Sequence, residues 1–320
     1  MTSDSDVPDP VPIPIIYGPT ASGKTAVAVR LAGMYPIEVI SADSRQIIRR
    51  LDIGTAKPTA EQRRKVQFHL VDLVEPGERY TAFQFIEDAE RAIDDILRRS
   101  RIPLIVGGTG LYLRALTEGV VEIEGDDLGV RQRLEEEMRE QGPEAMYRRL
   151  CRIDPAEAAG LHANNRVRVM RALEIYYLTG KTKSELMRTG NSRKSRHTFT
   201  YFCLLPDRQK LYRAIEERVD RMLAQGLLEE VEYLCREGLA ESIKKVNTIG
   251  YKELLDHVNG RRTLAEAASL IKQNTRRYAK RQITWARHQI NSARIFSDSQ
   301  ELVGAVRNLL DVWMAAMEKS

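Results

Sequence analysis

The sequence contains little cysteine and no long apolar run. Its three cysteines, Cys151, Cys203 and Cys235, stand far apart and form no CxxC pair. This spacing excludes a disulfide framework and a zinc site built from thiolates, and it is typical of a protein from the reducing cytoplasm. No stretch approaches the ~20 consecutive apolar residues that a membrane-spanning helix needs. We therefore expect a cytoplasmic protein that does not cross a membrane.

The N-terminus lacks the features of a secretory signal. Residues 1–14 contain Asp4, Asp6, Asp9 and four prolines, whereas a signal peptide begins with positive charge and continues as an apolar run. We interpret residues 1–11 as a disordered acidic tail. Disorder is excluded for most of the remaining chain, because 42% of the 320 residues are hydrophobic and the charges nearly balance. That length allows one large domain, or a core with a second lobe.

Positive charge is concentrated in two segments, although the formal net charge is only +5. Residues 181–196 contain six basic residues and one acid, and residues 276–287 contain five basic residues and no acid. Clustered positive charge is typical of a protein with a polyanionic partner. From charge alone, solvated helix faces are the simpler explanation, so the partner needs more specific support.

Short apolar runs alternate with segments of helical character. The runs at 12–17, 37–40 and 102–106 predict strands, and the segments 26–34 and 83–99 predict helices between them. Such alternation is typical of parallel strands joined by helical crossovers. We therefore predict an α/β fold with a P-loop-type parallel sheet core flanked by helices. A polar or glycine-rich segment follows each run, at the sheet edge where such folds bind ligands.

The pattern changes in the middle of the chain. Residues 123–195 are helical in pattern, rich in Arg and Glu, and contain no convincing strand. Residues 198–205 then predict a returning strand. The simplest interpretation is a helical insertion domain, 123–195, within a core formed by 12–122 and 196–320.

The segment after the first strand matches the phosphate-binding motif G-x-x-x-x-G-K-[ST]. In such a loop, glycines let several backbone N–H groups converge on one anion, and the following helix directs its positive end towards it. Lys24 would contribute a point charge to the outer phosphate, and the Thr25 hydroxyl would ligate Mg²⁺. The motif predicts diphosphate or polyphosphate binding without specifying a nucleotide, and it comprises Gly18, Pro19, Thr20, Ala21, Ser22, Gly23, Lys24 and Thr25.

Two polar residues after the later strands are further candidates. Three roles are open to Asp43, which follows the second strand: an indirect Mg²⁺ ligand, a general base, or the N-cap of a following helix. Thr109 lies in a Gly-Gly-Thr-Gly turn after the third strand. It either belongs to the site or only caps the next helix.

A set of motifs along the chain resembles the tRNA dimethylallyltransferase family. A phosphate loop alone would be unspecific, whereas the combination of motifs in the family's order is highly specific and covers nearly the whole chain. The chain ends at Ser320 without a Cys/His cluster, so it resembles the shorter bacterial form that lacks a zinc finger. The motifs are GPTASGKT (18–25), SADSRQ (41–46), DIGTAK (52–57), GGTGLY (107–112), NNRVRVMRALE (164–174), IGYK (249–252) and KRQITWAR (280–287).

The resemblance implies a prenyl transfer to RNA. Members of the family move the dimethylallyl group of dimethylallyl diphosphate onto N6 of adenosine 37, beside the tRNA anticodon, and release diphosphate. Their phosphate loop holds this diphosphate in place of ATP. The expected cofactor is Mg²⁺, the expected partners are the tRNA anticodon stem-loop and dimethylallyl diphosphate, and we expect a monomer.

The resemblance also implies catalytic roles. Asp43 corresponds to the base that takes a proton from the N6 amine, which a weak acceptor can do because the amine becomes acidic only as the new bond forms. Thr109 corresponds to a threonine near the reacting groups that also touches tRNA. Arg218 corresponds to an arginine that reaches the diphosphate beside Lys24, where negative charge develops on the leaving group. Thr25 would ligate Mg²⁺ together with the diphosphate.

A larger set is implied to contact tRNA. The segment that contains Asp43, Ser44, Arg45 and Gln46 would line the pocket of the target adenine, with Ser44 and Gln46 in contact with the base, and Thr109 would touch tRNA near the reacting groups. The helical insertion would act as a clamp over the anticodon stem-loop. The remaining contacts of the set are Arg131, Val167, Arg168, Val169, Met170, Arg171, Lys280, Arg281, Gln282, Thr284, Trp285 and Arg287.

The segment 276–287 has two sides if it is helical. Arg277, Lys280 and Arg287 would form a basic stripe, and Tyr278 and Trp285 would lie one heptad apart on the other side. We favour packing of these two aromatic side chains into the core over stacking on bases.

Two other functions share the phosphate loop. A small-molecule kinase would bind and turn over ATP without tRNA, but no arginine-rich lid segment can be assigned. An isopentenyl transferase acting on free AMP or ATP would share the loop and Asp43, but it would have no use for two basic segments that face tRNA.

Overall fold

The computed structural model describes residues 11–121, 128–189, 192–193, 195–290 and 292–318. Most of the expected tail (1–10) and the start of the expected insertion (123–127) lie outside these residues. The chain divides into two compact units, residues 1–114 with 196–320, and residues 115–195. None of the described helices is both long enough and apolar enough to cross a membrane.

The helices and strands of the described residues follow one another in an α/β pattern, then a helical pattern. In chain order they are β1 (Ile13–Tyr17), α1 (Lys24–Ala32), β2 (Ile37–Ala42), α2 (Ala60–Lys65), β3 (Phe68–His69), α3 (Ala82–Arg98), β4 (Ile102–Gly107), α4 (Gly110–Glu118), β5 (Val120–Val121), α5 (Leu128–Ile153), α6 (Pro155–Ala159), α7 (Arg166–Thr179), α8 (Lys183–Arg188), β6 (Ser192–Arg193), β7 (Phe199–Leu204), α9 (Arg208–Ala224), α10 (Leu227–Arg236), α11 (Ala240–Val246), α12 (Tyr251–Val258), α13 (Leu264–Gln289), β8 (Arg294–Phe296) and α14 (Ser299–Met317).

The first unit is built on a parallel sheet. Within the described residues it has six strands in the order β3-β2-β4-β1-β7-β8, and every neighbouring pair is parallel. The four predicted strands are confirmed as β1, β2, β4 and β7. The edge strands β3 and β8 were not predicted, because two and three residues are too short to show a strand pattern.

Burial on both faces explains the continuous apolar runs of the central strands. All residues of β1, β2 and β4 are buried, as expected for a parallel sheet covered by helices. On one side, α1 and α14 share a core cluster with these strands through Leu31, Leu302 and Val306. Helix α3 contacts β2 and β4 and buries Phe85 and Ile93. The predicted α/β fold with helices flanking the sheet is therefore confirmed.

The helices after β7 form a second core within the first unit. Leu227 and Val231 of α10, Tyr251 of α12 and Ile271 of α13 are buried in one cluster. The N-terminus of α13 is a capping box, in which the Thr263 side chain accepts from Glu266 N and the Glu266 side chain binds Thr263 N. The capping box and the buried face thus stabilise this 26-residue helix.

The second unit, residues 115–195, has a core of its own. Leu134 and Met146 of α5 pack with Val169 and Leu173 of α7. Helix α5 is interrupted at Gly142, which has a non-helical φ of 80° and precedes Pro143. Helices predominate as predicted, but β6 pairs antiparallel with β5, so the expectation of no strand in 123–195 is wrong for two residues.

Candidate active site

Three polar loops meet at one edge of the sheet. They follow β1, β2 and β4, which are adjacent strands, so their carboxyl ends lie side by side. A cleft of about 1050 Å³ opens there. Its lining includes residues of the phosphate loop, the segment after β2, the C-terminal part of α9 with the residue that follows it, and α13. These residues are Thr20, Ala21, Gly23, Lys24, Thr25, Asp43, Gln46, Asp52, Lys57, Arg218, Arg221, Gln225 and Gln282.

The phosphate loop has the geometry that its motif predicts. Gly23 adopts a φ of 94° as the N-cap of α1, a conformation that favours glycine over residues with a Cβ. Lys24 Nζ donates to the Pro19 carbonyl at 2.7 Å, so the side chain folds back along the loop. Burial lowers the pKa of Lys24 to about 8, with Arg218 adding to the shift and Asp43 opposing it. The loop thus holds an ammonium group that a bound anion would keep charged.

Arg218 approaches the same loop from α9. Its Nη2 donates to Thr20 Oγ1 at 2.6 Å. Burial lowers the pKa of the guanidinium, and Asp43 opposes the shift. Among the described residues its Nε is buried without a hydrogen-bond partner. A buried donor without a partner is costly, so this arginine is suited to an anionic ligand in the cleft.

Asp43 and Thr109 are brought together by the register of β2 and β4. Asp43 Oδ1 accepts from Arg45 N at 2.9 Å, in a turn and not at a helix N-terminus, so the helix-cap alternative does not hold. Thr109 Oγ1 accepts from Ser44 N at 2.9 Å, and Thr109 N donates to the Ala42 carbonyl at 3.2 Å. These hydrogen bonds join the loop after β2 to the loop after β4 beside the Asp43 carboxylate.

Two further members of the predicted adenine pocket bind protein groups. Gln46 accepts from Ser41 Oγ and donates to the Ala56 carbonyl, both at 3.0 Å. Arg45 Nη1 donates to the Val246 carbonyl at 3.0 Å. Both side chains brace the loop after β2, and Gln46 also lines the cleft.

Helix α13 contributes two partly buried aromatic side chains, Tyr278 and Trp285, which lie against the loops of the site. The Trp285 ring lies 5.1 Å from the Tyr17 ring and against Gly110, where an added Cβ would be 2.3 Å from the indole. Burial raises the pKa of Tyr278 to about 12. The negative charge of Asp43 adds to this increase in pKa, so Tyr278 is protonated at neutral pH.

The structure corrects the place of two residues in the predicted tRNA-contacting set. Gln282 is only 6% exposed and its carboxamide binds the phosphate loop and the turn after β4. Val169 is fully buried in the core of the second unit. Both residues lie on the buried side of their helices. The charged residues next to them in the sequence had suggested an exposed position.

Most of the other members of that set are exposed, and a few make contacts within their own unit. Lys280, Arg281, Thr284 and Arg287 are exposed along α13. In the second unit, Val167 is 81% exposed, Arg131 is exposed and pairs with Glu135, and Arg171 pairs with Glu174. Arg168 is partly exposed, and Met170 packs against the core.

One ionic cluster in the cleft was not assigned from the sequence. The buried Lys57 donates to Asp52 at 2.6 Å and to Asp72 at 2.5 Å, and Arg63 reaches the other oxygen of Asp72 at 3.0 Å. The motif DIGTAK contains two of these residues, but Asp72 and Arg63 come from elsewhere. Only the folded chain shows that they form a wall of the site.

The residues at this site would suit a Mg²⁺ ion that also bound a phosphate group. The Thr25 hydroxyl is on the cleft wall, next to Lys24. The described residues contain no group of three or more His, Cys, Asp or Glu that would hold a metal by themselves. Mg²⁺ commonly takes one or two protein ligands and completes its shell with phosphate oxygens and water, which matches this donor set.

The fold and the site define a class of protein. A parallel sheet with a phosphate-binding loop, a buried arginine over that loop and a carboxylate after another strand of the same sheet is the framework of a P-loop enzyme acting on a phosphorylated substrate. The sequence profile described as IPP transferase matches residues 46–289, and a profile described as isopentenyl transferase matches residues 11–72. The chain belongs to the tRNA dimethylallyltransferase family.

Individual relatives are similar over most of their length. A tRNA dimethylallyltransferase of Geobacter metallireducens is 47% identical over 273 residues, which cover 85% of this chain and 88% of the relative. A tRNA dimethylallyltransferase 1 of Syntrophotalea carbinolica is 45% identical, over 95% of this chain and 96% of the relative. The similarity thus spans both units of the chain.

Solved structures of similar proteins superpose on this chain over most of its length. The full-length tRNA isopentenylpyrophosphate transferase from Bacillus halodurans superposes with a TM-score of 0.67 at 37% identity, over 97% of this chain and 99% of that one. A eukaryotic dimethylallyltransferase described as acting on tRNA superposes with a TM-score of 0.78 at 28% identity, over 94% of this chain and 80% of that one.

Proposed function

We propose that this protein transfers the dimethylallyl group of dimethylallyl diphosphate to N6 of adenosine 37 in tRNA and releases diphosphate. Membership of the family and the names of the relatives support the donor, the acceptor and the reaction. The observation that carries the proposal is that Lys24, Arg218 and Asp43 line one cleft, in which the Arg45 N–H group holds the Asp43 carboxylate.

The donor's diphosphate binds to the phosphate loop. Lys24 and Arg218 supply two positive charges where negative charge increases as the carbon–oxygen bond of the donor breaks. The N-terminus of α1 adds backbone N–H groups behind Gly23. The bond electrons leave with the diphosphate, and the same groups that bind it stabilise it as it departs.

The acceptor's adenine binds on the side of Asp43 and Thr109. The N6 nitrogen forms a bond to the dimethylallyl carbon, and its surplus proton passes to the Asp43 carboxylate. The Arg45 backbone N–H group donates to Asp43 Oδ1, and the Ser44 backbone N–H group donates to the Thr109 hydroxyl oxygen. Both groups are therefore oriented before the substrate arrives, which lowers the entropic cost of the reaction.

Mg²⁺ is the proposed cofactor, held by the Thr25 hydroxyl and the diphosphate. A bound Mg²⁺ would supply positive charge to the diphosphate. Among the residues of this chain, Lys24 and Arg218 do the same from the protein side.

The anticodon stem-loop is the proposed RNA partner. Exposed basic side chains on α13, Lys280, Arg281 and Arg287, suit contacts to phosphates. In the second unit, residues 166–171 expose Arg166 and Val167 at the start of α7. The IPP transferase profile covers both regions, whereas the profile shared with isopentenyl transferases ends at residue 72, which favours tRNA over a free nucleotide as acceptor.

Asp43→Ala and Asp43→Asn test the proposal. We expect wild-type protein with Mg²⁺ and labelled dimethylallyl diphosphate to label unmodified tRNA, with the label mapping to adenosine 37. Both variants should transfer about 10²–10⁴-fold more slowly, the range that a general base contributes, while binding dimethylallyl diphosphate with nearly unchanged affinity. Asp95→Asn, on the exposed side of α3, is the matched control.

Two outcomes would contradict the proposal. Robust transfer by Asp43→Ala would remove Asp43 from the chemistry. Preferential labelling of AMP or ATP in competition with tRNA would identify the free-nucleotide reaction, and ATP turnover without tRNA would identify a kinase.

A further inference from the structure

Gln282 connects α13 to two loops of the site. Its Oε1 accepts from Thr20 N at 2.9 Å, and its Nε2 donates to the Gly108 carbonyl at 2.9 Å. The side chain's orientation follows from these partners, because only the oxygen can accept from an N–H group and only the nitrogen can donate to a carbonyl. With 6% of the residue exposed, water does not compete effectively for either bond.

The surroundings leave the carboxamide little freedom. The Tyr17 hydroxyl donates to the Gln282 carbonyl at 2.8 Å, which ties the helix backbone to the end of β1. A Cβ added to Gly108 would lie 2.4 Å from Gln282 Nε2 and 2.9 Å from the Gly18 carbonyl oxygen. The glycine therefore allows the turn, the phosphate loop and the carboxamide to meet at one point.

The two bonded loops serve different substrates in the proposed reaction. On one side, Thr20 accepts from Arg218 through its hydroxyl, and both belong to the diphosphate site. On the other side, Gly108 precedes Thr109, whose hydroxyl binds Ser44 next to Asp43. A single carboxamide thus links the loop that holds the donor to the turn beside the base.

We propose that Gln282 is a positioning residue that sets the distance between the donor loop and the acceptor turn, and that it does not contact tRNA. This role rests on the proposed function. The reaction requires the dimethylallyl carbon and the N6 nitrogen to be at near-contact distance, and a displacement of about 1 Å between them can cost about 10²-fold in rate. Removal of the carboxamide leaves the Thr20 N–H and the Gly108 carbonyl without their partner, so the two loops no longer share a common register.

Gln282→Met is the principal test variant, because methionine matches the unbranched shape of glutamine and makes neither bond. Gln282→Leu is a second variant that also makes neither bond and has a different shape. Gln273→Leu is the control, since Gln273 is exposed on the same helix. We expect both Gln282 variants to lower the single-turnover rate with saturating donor and tRNA by about 10- to 100-fold. The affinities for Mg²⁺–pyrophosphate and for an anticodon stem-loop RNA should each change by less than about threefold, as expected when binding groups stay and only their spacing changes.

Other results would overturn the inference. A wild-type rate in the Gln282 variants would show that the link has no role. A tenfold decrease in RNA affinity with an unchanged saturated rate would make Gln282 a tRNA contact, and the same pattern for pyrophosphate would make it only a donor-binding residue. Disappearance of both binding activities together with the thermal unfolding transition would make its role structural. Absence of transfer by the wild-type protein would overturn the proposed function itself, which distinguishes the two failures.

Discussion

At the scale of single residues, Lys24 has the clearest electrostatic consequence. Burial lowers its pKa to about 8, so in the free protein it loses its charge as the pH rises through that value. A bound diphosphate favours the charged form, so binding above pH 8 should take up a proton and weaken as the pH rises. Calorimetry with Mg²⁺–pyrophosphate, in buffers of different ionisation enthalpy at pH 7.0 and 8.8, measures this uptake. The neutral variant Lys24→Met should bind more weakly and lack the additional uptake, and equal uptake in both proteins would contradict the assignment.

At the scale of secondary-structure elements, α13 has two faces with different roles. Its inward face holds Tyr278, Gln282 and Trp285 against the site loops, and its outward face exposes the basic side chains. The outward face should therefore influence RNA affinity without altering the donor site. The buried side chains of the helix, which include Gln282, determine which face points outward.

Charge reversal on the outward face tests this division. Lys280→Glu with Arg287→Glu should weaken binding of an anticodon stem-loop RNA by at least about tenfold at moderate salt, and should reduce the salt slope by about one for each phosphate that the variant no longer neutralises. Pyrophosphate binding should not change. Lys244→Glu with Lys245→Glu on α11 changes the net charge by the same amount and is the control. If both double variants weaken binding equally, only the net charge matters.

At the scale of the whole molecule, the chain consists of two units with separate cores. Ser195 N donates to the Leu116 carbonyl at 3.0 Å, so the chain enters and leaves the second unit at neighbouring points. Replacement of residues 119–194 by a short Gly-Ser linker is therefore sterically feasible. We expect the shortened protein to bind pyrophosphate within about threefold of wild type and to bind the stem-loop RNA at least about tenfold more weakly. Calorimetry and filter binding measure the two affinities, and a folded chain that no longer binds pyrophosphate would contradict the independence of the units.

Much of the fold and part of the site could be predicted from local sequence. The central strands are buried on both faces and hence appear as continuous apolar runs, and the phosphate loop is a contiguous motif whose geometry is local. Asp43 and Thr109 were found because they directly follow strands of one parallel sheet. In each case the physical cause acts within a few residues, so the sequence by itself determined the result.

The tertiary structure decided the rest. Thr20 binds a side chain 262 positions away and Arg218 reaches back 198 positions, and no local pattern specifies such contacts. The sequence placed Gln282 with its basic neighbours on the tRNA side, whereas packing of α13 against β1 turned it inward. Asp72 lies 15 positions after Lys57, and only the fold brings the two side chains together. A motif determines the chemistry that a loop can perform. Which buried polar groups meet depends on the packing of distant elements. Each such group needs a hydrogen-bond partner from the protein, because water is excluded from the interior.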